Sequence, residues 1–328
     1  MFSKTDQLIE CVPNFSEGRN KAIIDAIAAS IERIDGVKLM NIDVGFDANR
    51  TVYTFAGKPQ EVLEAAFQAI KKANELIDMR VHKGEHPRMG ACDVCPLIPI
   101  QHISMNEVVG LAAQLGKHVS ELGIPVFLYE YSAANLTRKN LAYLRKGEYE
   151  AIEDKMKLPA WKPDFGELKS NSTFGMMAIG ARAFLIAYNI NLTTKDESIA
   201  KQIAKQIRLL REKKDGSYES NLVQHVKAIG WFMQAFDCAQ VSMNITDIEK
   251  SPIIEVFDMV KKMAQQLDEN TNGSELIGLI PLKAFHTKND FFDEYDLDKK
   301  IEYLGLNAVK PFSKEENIIE YKLGLNNK

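Results

Sequence analysis

Cysteine is scarce: four residues, Cys11, Cys92, Cys95 and Cys238, are too few and too scattered to staple a secreted disulfide scaffold. No apolar run approaches the roughly 18 residues that a membrane-spanning helix needs. The opening stretch MFSKTDQLIECVPNF runs directly into a strand-like segment without the apolar centre of a secretory leader. Charge of one sign is missing too. Lys and Arg number 41 against 45 Asp and Glu, a formal net charge of −4, so no basic surface suggests a nucleic-acid or membrane-surface binder. What is present is the balance of an ordinary soluble globular protein, 45% hydrophobic and 26% charged. At 328 residues it is long enough for two domains or one large one. The expectation is a cytoplasmic, reduced protein.

Apolar spacing then gives the order of elements. LIECVPNF (8–15) reads as a short strand and KAIIDAIAASIERI (21–34) as a helix. VKLMNIDV (37–44) and RTVYTFAG (50–57) read as hairpin strands. A helix from Glu61 to about Ile77 and a strand CDVCPLIPI (92–100) follow. Next come a helix at 105–122, a strand IPVFLYEYS (124–132) and two short charged helices. PAWKPDFGELKSNSTFG (159–175) lacks periodicity and is a loop whose aromatics favour an ordered, functional one. ARAFLIAYNINL (181–192) reads as one buried strand and 197–213 as an amphipathic helix with a solvated basic face. KAIGWFMQAF (227–236) and AQVSMNI (239–245) form a hairpin through Asp237 and Cys238. A helix at 253–267 and the apolar segment ELIGLIP (275–281) complete the second series. The order strand, helix, strand, strand, helix, strand occurs twice, which predicts an α/β (α+β) protein of two similar split βαβ halves. A ligand is expected in the cleft between such halves. Met176, Met177, Met233 and Met243 read as core filling.

The segment VHKGEHPRMGACDVCP (81–96) carries the chemistry. His82 to His86 spells H-x-x-E-H, and Cys92 and Cys95 form a C-x-x-C, so four zinc ligands are one reading. Geometry argues against it. Gly84 and the proline after His86 break the helix that would put both imidazoles on one face. Strand alternation would place the two thiols on opposite sides. Two readings stay open: an inert polar loop, and a metal-free catalytic loop whose histidine acts as acid or base near neutral pH.

Longer strings carry a resemblance. ECVPNFSEGRN, NRTVYTFAG, LIDMRVHKGEHPRMGACDVCP, RKGEYE, PDFG, GARAFLIAYNINL, AQVSMNITD and YLGLNAVKPFSKEENIIEY, in this order from about Leu8 to Tyr321, resemble the glutamate formimidoyltransferase family. The resemblance implies two ferredoxin-like halves, divided here as 1–178 and 179–328, with the ligand groove between them. It implies formimidoyl transfer from N-formimidoyl-L-glutamate to nitrogen 5 of tetrahydrofolate, the co-substrate, with no metal. The family's catalytic histidine falls on His86, and His82 joins the site as a substrate-binding residue. The family's acid before the NRTVYTF hairpin falls on Asp43, the second expected catalytic residue, which would orient or charge the imidazole or pair with the formimino group, while its preceding acid is Asn41 here. The family's folate loop spans Gly166 to Gly175, with Phe174 at the aromatic position, and its interior ELKSNST departs from the family's letters.

The substrates' carboxylates require cationic receivers, for which Arg50, Arg88 and Arg182 are the candidates. Relatives imply a homodimer, and a separate cyclodeaminase, or none, is expected to handle the product. The alternatives are formyl transfer from N-formylglutamate, a folate-binding protein without activity and, more remotely, the zinc hydrolase.

Overall fold

The computed structural model describes residues 2–3, 5–287, 292–293, 296–308 and 310–325. The end of the second expected half, 326–328, lies outside the described residues. Contacts divide the chain into two compact units, Met1–Arg182 and Ala183–Lys328.

In the first unit, Pro13 has no N–H to donate and splits the expected first strand into β1 (Leu8–Cys11) and β2 (Asn14–Phe15). Helix α1 (Lys21–Glu32) starts where the Asn20 side chain accepts from the Ala22 and Ile23 amides, and it buries Ile24, Ile27, Ala28 and Ile31. β3 (Val37–Gly45) and β4 (Arg50–Gly57) form the hairpin. Helix α2 (Pro59–Leu76) opens on proline. β5 (Cys92–Gln101) precedes α3 (Met105–Ser120), which begins with a Ser104–Glu107 capping box. β6 is only Val126–Leu128, much shorter than expected, because the chain turns into a 3-10 segment at Glu130, whose φ is +52°. Short helices α4 (Leu141–Arg145) and α5 (Ile152–Lys155) follow, then β7 (Met177–Ala181).

These strands make one seven-stranded sheet in which β1 and β2 lie in succession between β4 and β5. β3 extends the sheet beside β4, and β7 joins β5 and β6 in parallel. Tyr53 and Phe55 of β4 point into the core that α1, α2 and α3 cover. Alternation therefore puts Arg50, Val52 and Thr54 on the opposite face, and the register pairing Asp43 with Val52 puts Asp43 there too.

Two expectations are corrected. Phe15 faces Cys92 while Asn14 faces Val94, so Asp93 is an extra residue, a β-bulge that resets the alternation. Cys92 and Cys95 consequently lie in the same core, not on opposite sides, and Cys11 Sγ is 3.4 Å from Cys95 Sγ. The apolar run 181–192 is not one strand: β7 ends at Ala181 and β8 (Ile186–Leu192) begins the second unit.

The second unit continues with α6 (Glu197–Lys213), on the expected residues, and a short helix α7 (Tyr218–Leu222). β9 (Val226–Met233), β10 (Cys238–Ile245), α8 (Ile253–Gln265) and β11 (Thr271–Ile277) follow. β11 starts four residues before its expected position: its polar beginning pairs with β8 in spite of its letters. The sheet order is β11-β8-β10-β9, antiparallel throughout. Short helices α9 (Leu297–Tyr303), α10 (Lys314–Asn317) and α11 (Ile319–Lys322) close the described chain. Among the described residues no helix is long and apolar enough to cross a membrane.

Gly175 has φ +90°, and a Cβ there would sit 2.3 Å from the Met89 carbonyl oxygen. Gly175→Ala is therefore expected to cost about 3 kcal/mol and lower the first unit's Tm by roughly 6–12 °C. A thermal melt in which the variant matches the parent would show that the loop junction yields easily.

Candidate active site

The segment between α2 and β5 has no regular structure, so hydrogen bonds to its surroundings must hold it. The Met79 amide donates to the Thr173 carbonyl at 2.8 Å and the Glu85 amide to the Asp47 carbonyl at 3.2 Å. Asn49, in the left-handed region at φ +47°, braces the loop from the β3–β4 turn. Its side-chain amide donates to the Lys83 carbonyl at 2.9 Å, and its own Oδ1 accepts from the Gly18 amide at 2.9 Å. Gly84 is needed for this approach, because a Cβ there would lie 2.2 Å from the Ala48 carbonyl oxygen. At the far end Asp93, on the bulge, accepts from the Met89 amide at 3.0 Å. The Ala91 amide donates to the Phe174 carbonyl at 2.7 Å, and the Met89 carbonyl accepts from the Met176 amide at 2.9 Å.

The two histidines differ in what they have free. His82 Nε2 lies 2.9 Å from the Asn49 carbonyl oxygen, and Arg88 Nε donates to His82 Nδ1 at 3.3 Å. That pattern makes His82 a neutral Nε2–H tautomer with both nitrogens occupied. His86, half-buried, has no hydrogen-bond partner at Nδ1. Burial, then the positive charges of Arg50 and Arg145, hold its pKa below the usual 6.5, while Asp93 and, more weakly, the Pro87 backbone oppose them. At neutral pH His86 is an uncharged imidazole.

The three expected arginines have different surroundings. Arg50 Nε is buried with no hydrogen-bond partner, and no described carboxylate makes an ion pair with its guanidinium. Burial and the neighbouring Arg145 lower its pKa to about 10, opposed by Asp93 and Asp43. A half-buried cation without an ion-pair partner, its Nε shut away from water, is costly and attracts an anion. Arg88, by contrast, is taken up by Glu148 at 2.9 Å and Glu150 at 2.6 Å. Arg182 follows β7, where its amide donates to the Leu97 carbonyl at 3.0 Å. Arg145 itself is paired with Asp93, which is 1% exposed.

Asp43 is exposed beside Arg50, and the carboxylate whose charge reaches His86 is Asp93. Gly166 and Gly175, both at positive φ, bound a loop whose residues line a cavity of about 550 Å³ together with Gly123 and Ser120. Phe174 is 0% exposed in the first unit's core, which leaves no ring face for a stacked ligand. Among the described residues no group of three or more His, Cys, Asp or Glu is placed to hold a metal ion.

Family models named Formiminotransferase domain, N-terminal subdomain, and Formiminotransferase domain match residues 8–182 and 187–324. The chain belongs to the formiminotransferase family. It is 42% identical to a glutamate formimidoyltransferase of Streptococcus pyogenes serotype M1, over 90% of this chain and 97% of that protein. A glutamate formimidoyltransferase of Thermoplasma acidophilum is 40% identical, over 96% of this chain and 97% of that one. The formimidoyltransferase-cyclodeaminase of Dictyostelium discoideum is 42% identical over 96% of this chain, and the chain spans 60% of its length.

Within this family member, sequence reasoning missed Asn49, Asp93, Arg145, Glu148 and Glu150 as parts of the site. RKGEYE and the bulge position carried the letters, but only the tertiary contacts reveal their roles. Since Arg50 and Arg145 depress the His86 pKa, removing either charge must raise it. His86 should titrate below 6.5 by NMR, and Arg50→Met should move it upward. An unchanged titration in that variant would remove Arg50 from the site's electrostatics.

Proposed function

We propose that the chain transfers the formimidoyl group from N-formimidoyl-L-glutamate to nitrogen 5 of tetrahydrofolate, releasing L-glutamate and 5-formimidoyltetrahydrofolate. The observation that carries this reading is the presence, on one sheet face and its loop, of a neutral His86 without an Nδ1 partner and a half-buried Arg50 whose buried Nε has none either. The two relatives matched over nearly their full length are named glutamate formimidoyltransferases, which supports the transferred group and its glutamate, and the family resemblance implies the acceptor.

In this mechanism nitrogen 5 attacks the formimidoyl carbon, and the new C–N bond leaves that nitrogen cationic. His86 takes its proton, so that the tetrahedral intermediate persists, and returns it to the glutamate nitrogen as the old C–N bond breaks. Base catalysis of this kind typically contributes about 10²- to 10⁴-fold. Arg50 receives a donor carboxylate through charge-assisted hydrogen bonds. Asp43, exposed beside it, faces the cationic formimino group; a guanidinium next to a carboxylate matches a donor that carries both signs. Holding the two substrates in register supplies much of the remaining acceleration.

The loop from Gly166 to Gly175, with the cavity it lines, is the folate-side wall in this reading, and Phe174 fixes its end from the core. The strand order β11-β8-β10-β9 supports a ferredoxin-like second unit, and β5-β1-β4-β3 within the larger sheet supports the same for the first. A cytoplasmic homodimer whose product passes to a cyclodeaminase belongs to the same reading. The relatives' name joins formimidoyl transfer to cyclodeamination. The zinc-hydrolase alternative is disfavoured because both nitrogens of His82 are engaged and the segment 82–86 is not helical.

Tetrahydrofolate-dependent glutamate release, measured with formiminoglutamate and N-formylglutamate side by side, tests this. Turnover of formiminoglutamate is expected, falling by about 10²- to 10⁴-fold in His86→Ala. Arg50→Met should raise the donor KM by about 10- to 100-fold with kcat less affected, the size of one lost charge-assisted hydrogen bond. Turnover confined to N-formylglutamate would reassign the donor, and full activity in His86→Ala would remove the base. Because the His86 pKa is depressed, kcat/KM should hold as pH falls through 6.5 and be lost only below it.

A further inference from the structure

Arg88 was expected among the residues that receive a substrate carboxylate, yet its guanidinium is already occupied on every side. Nη1 donates to Glu148 Oε2 at 2.9 Å and to Glu150 Oε2 at 2.8 Å, and Nη2 donates to Glu150 Oε1 at 2.6 Å. Nη2 also reaches the His82 carbonyl at 3.4 Å, and Nε donates to the His82 ring at 3.3 Å. The Arg88 amide donates to Glu148 Oε2 at 3.3 Å. The side chain is 9% exposed, whereas those of Glu148 and Glu150 are 40% and 65% exposed.

We propose that Arg88 is a positioning residue: clamped by Glu148 and Glu150, it fixes the loop that carries His86, and it receives no substrate carboxylate. This rests on the assignment of His86 as the base. The geometry fits the role. Arg88 lies two residues after His86, its fork grips the loop at the His82 ring and carbonyl, and its partners come from the segment after α4. That segment is anchored just before the clamp and within it. Arg145 is tied to Asp93, which holds the Met89 amide, and the Tyr149 hydroxyl donates to the Ser172 carbonyl in the loop before β7. Glu148 sits at φ +56°, a conformation that a non-glycine residue adopts only when its surroundings enforce it. The strip 145–150 is thus a strut that joins the 166–175 loop to the loop of the base. Planar, bidentate pairing is the geometry that arginine supplies and lysine does not.

The test separates position from binding. In Arg88→Gln, kcat should fall by about 100-fold, the scale of a small misplacement of a catalytic group, with KM for both substrates within about threefold. Arg88→Lys should fail to restore kcat. Glu150→Gln keeps the Arg88 charge but loosens the clamp, so kcat should again fall and the donor KM should not improve. A carboxylate receiver behaves oppositely: Arg88→Gln would raise the donor KM with kcat kept, and Glu150→Gln would lower that KM. Either result overturns the proposal.

NMR titration of His82 gives a readout that needs no turnover. Burial, then Arg88 and Arg19, lower its pKa below 6.5, against the Asn49 carbonyl and Glu17. Loss of the Arg88 charge and of its hydrogen bond to Nδ1 should raise it. If the parent protein shows no formimidoyl transfer, the functional reading fails. An unmoved His82 in folded Arg88→Gln, checked by circular dichroism, would sink the clamp on its own.

Discussion

A loop without helix or strand must hold an imidazole in one place, and the rest of the first unit is arranged around that demand. Its backbone polar groups are satisfied from three directions: the β3–β4 turn through Asn49, the bulge through Asp93, and the strip after α4 through Glu148. Each anchor is itself fixed, Asn49 by the Gly18 amide and Asp93 by Arg145. The sheet supplies rigidity, and the loop borrows it through hydrogen bonds rather than through periodicity. Removing any one anchor leaves buried donors or acceptors unpaired, and that cost falls where the chemistry is placed.

Charge around His86 follows from the same arrangement. Two arginines face it, but only one is neutralised: Arg145 is held by Asp93, and Arg50 is left with a buried unpaired Nε. The surplus cation does two things at once. Added to the effect of burial, it lowers the His86 pKa, and in the proposed function it also receives a substrate carboxylate. His82, four residues away, has a partner at both ring nitrogens.

Much of the fold was legible because it lies in local pattern. The strand 50–57 and the helix 197–213 fall on the residues their spacing predicts. The errors arise where the deciding partner is distant in sequence. The bulge at Asp93 depends on β2, so strand alternation alone misplaced Cys92. The run 181–192 hid a boundary between two units because both strands beside the break are apolar. In the site, the family strings marked His86, but the partners of Arg88 stand 60 and 62 residues from it. No spacing rule reaches that far. A list of arginines could not say which one was already spent on carboxylates.

The account's central claim is that a neutral His86 carries the proton between nitrogen 5 and the glutamate nitrogen. Chemical rescue tests it most directly: formimidoyl transfer by His86→Ala measured against increasing imidazole. The account predicts a nearly inactive variant whose rate rises with imidazole concentration, with an acid limb that follows the added base. A variant that transfers at the parent's rate without imidazole, and is unmoved by adding it, would contradict the claim.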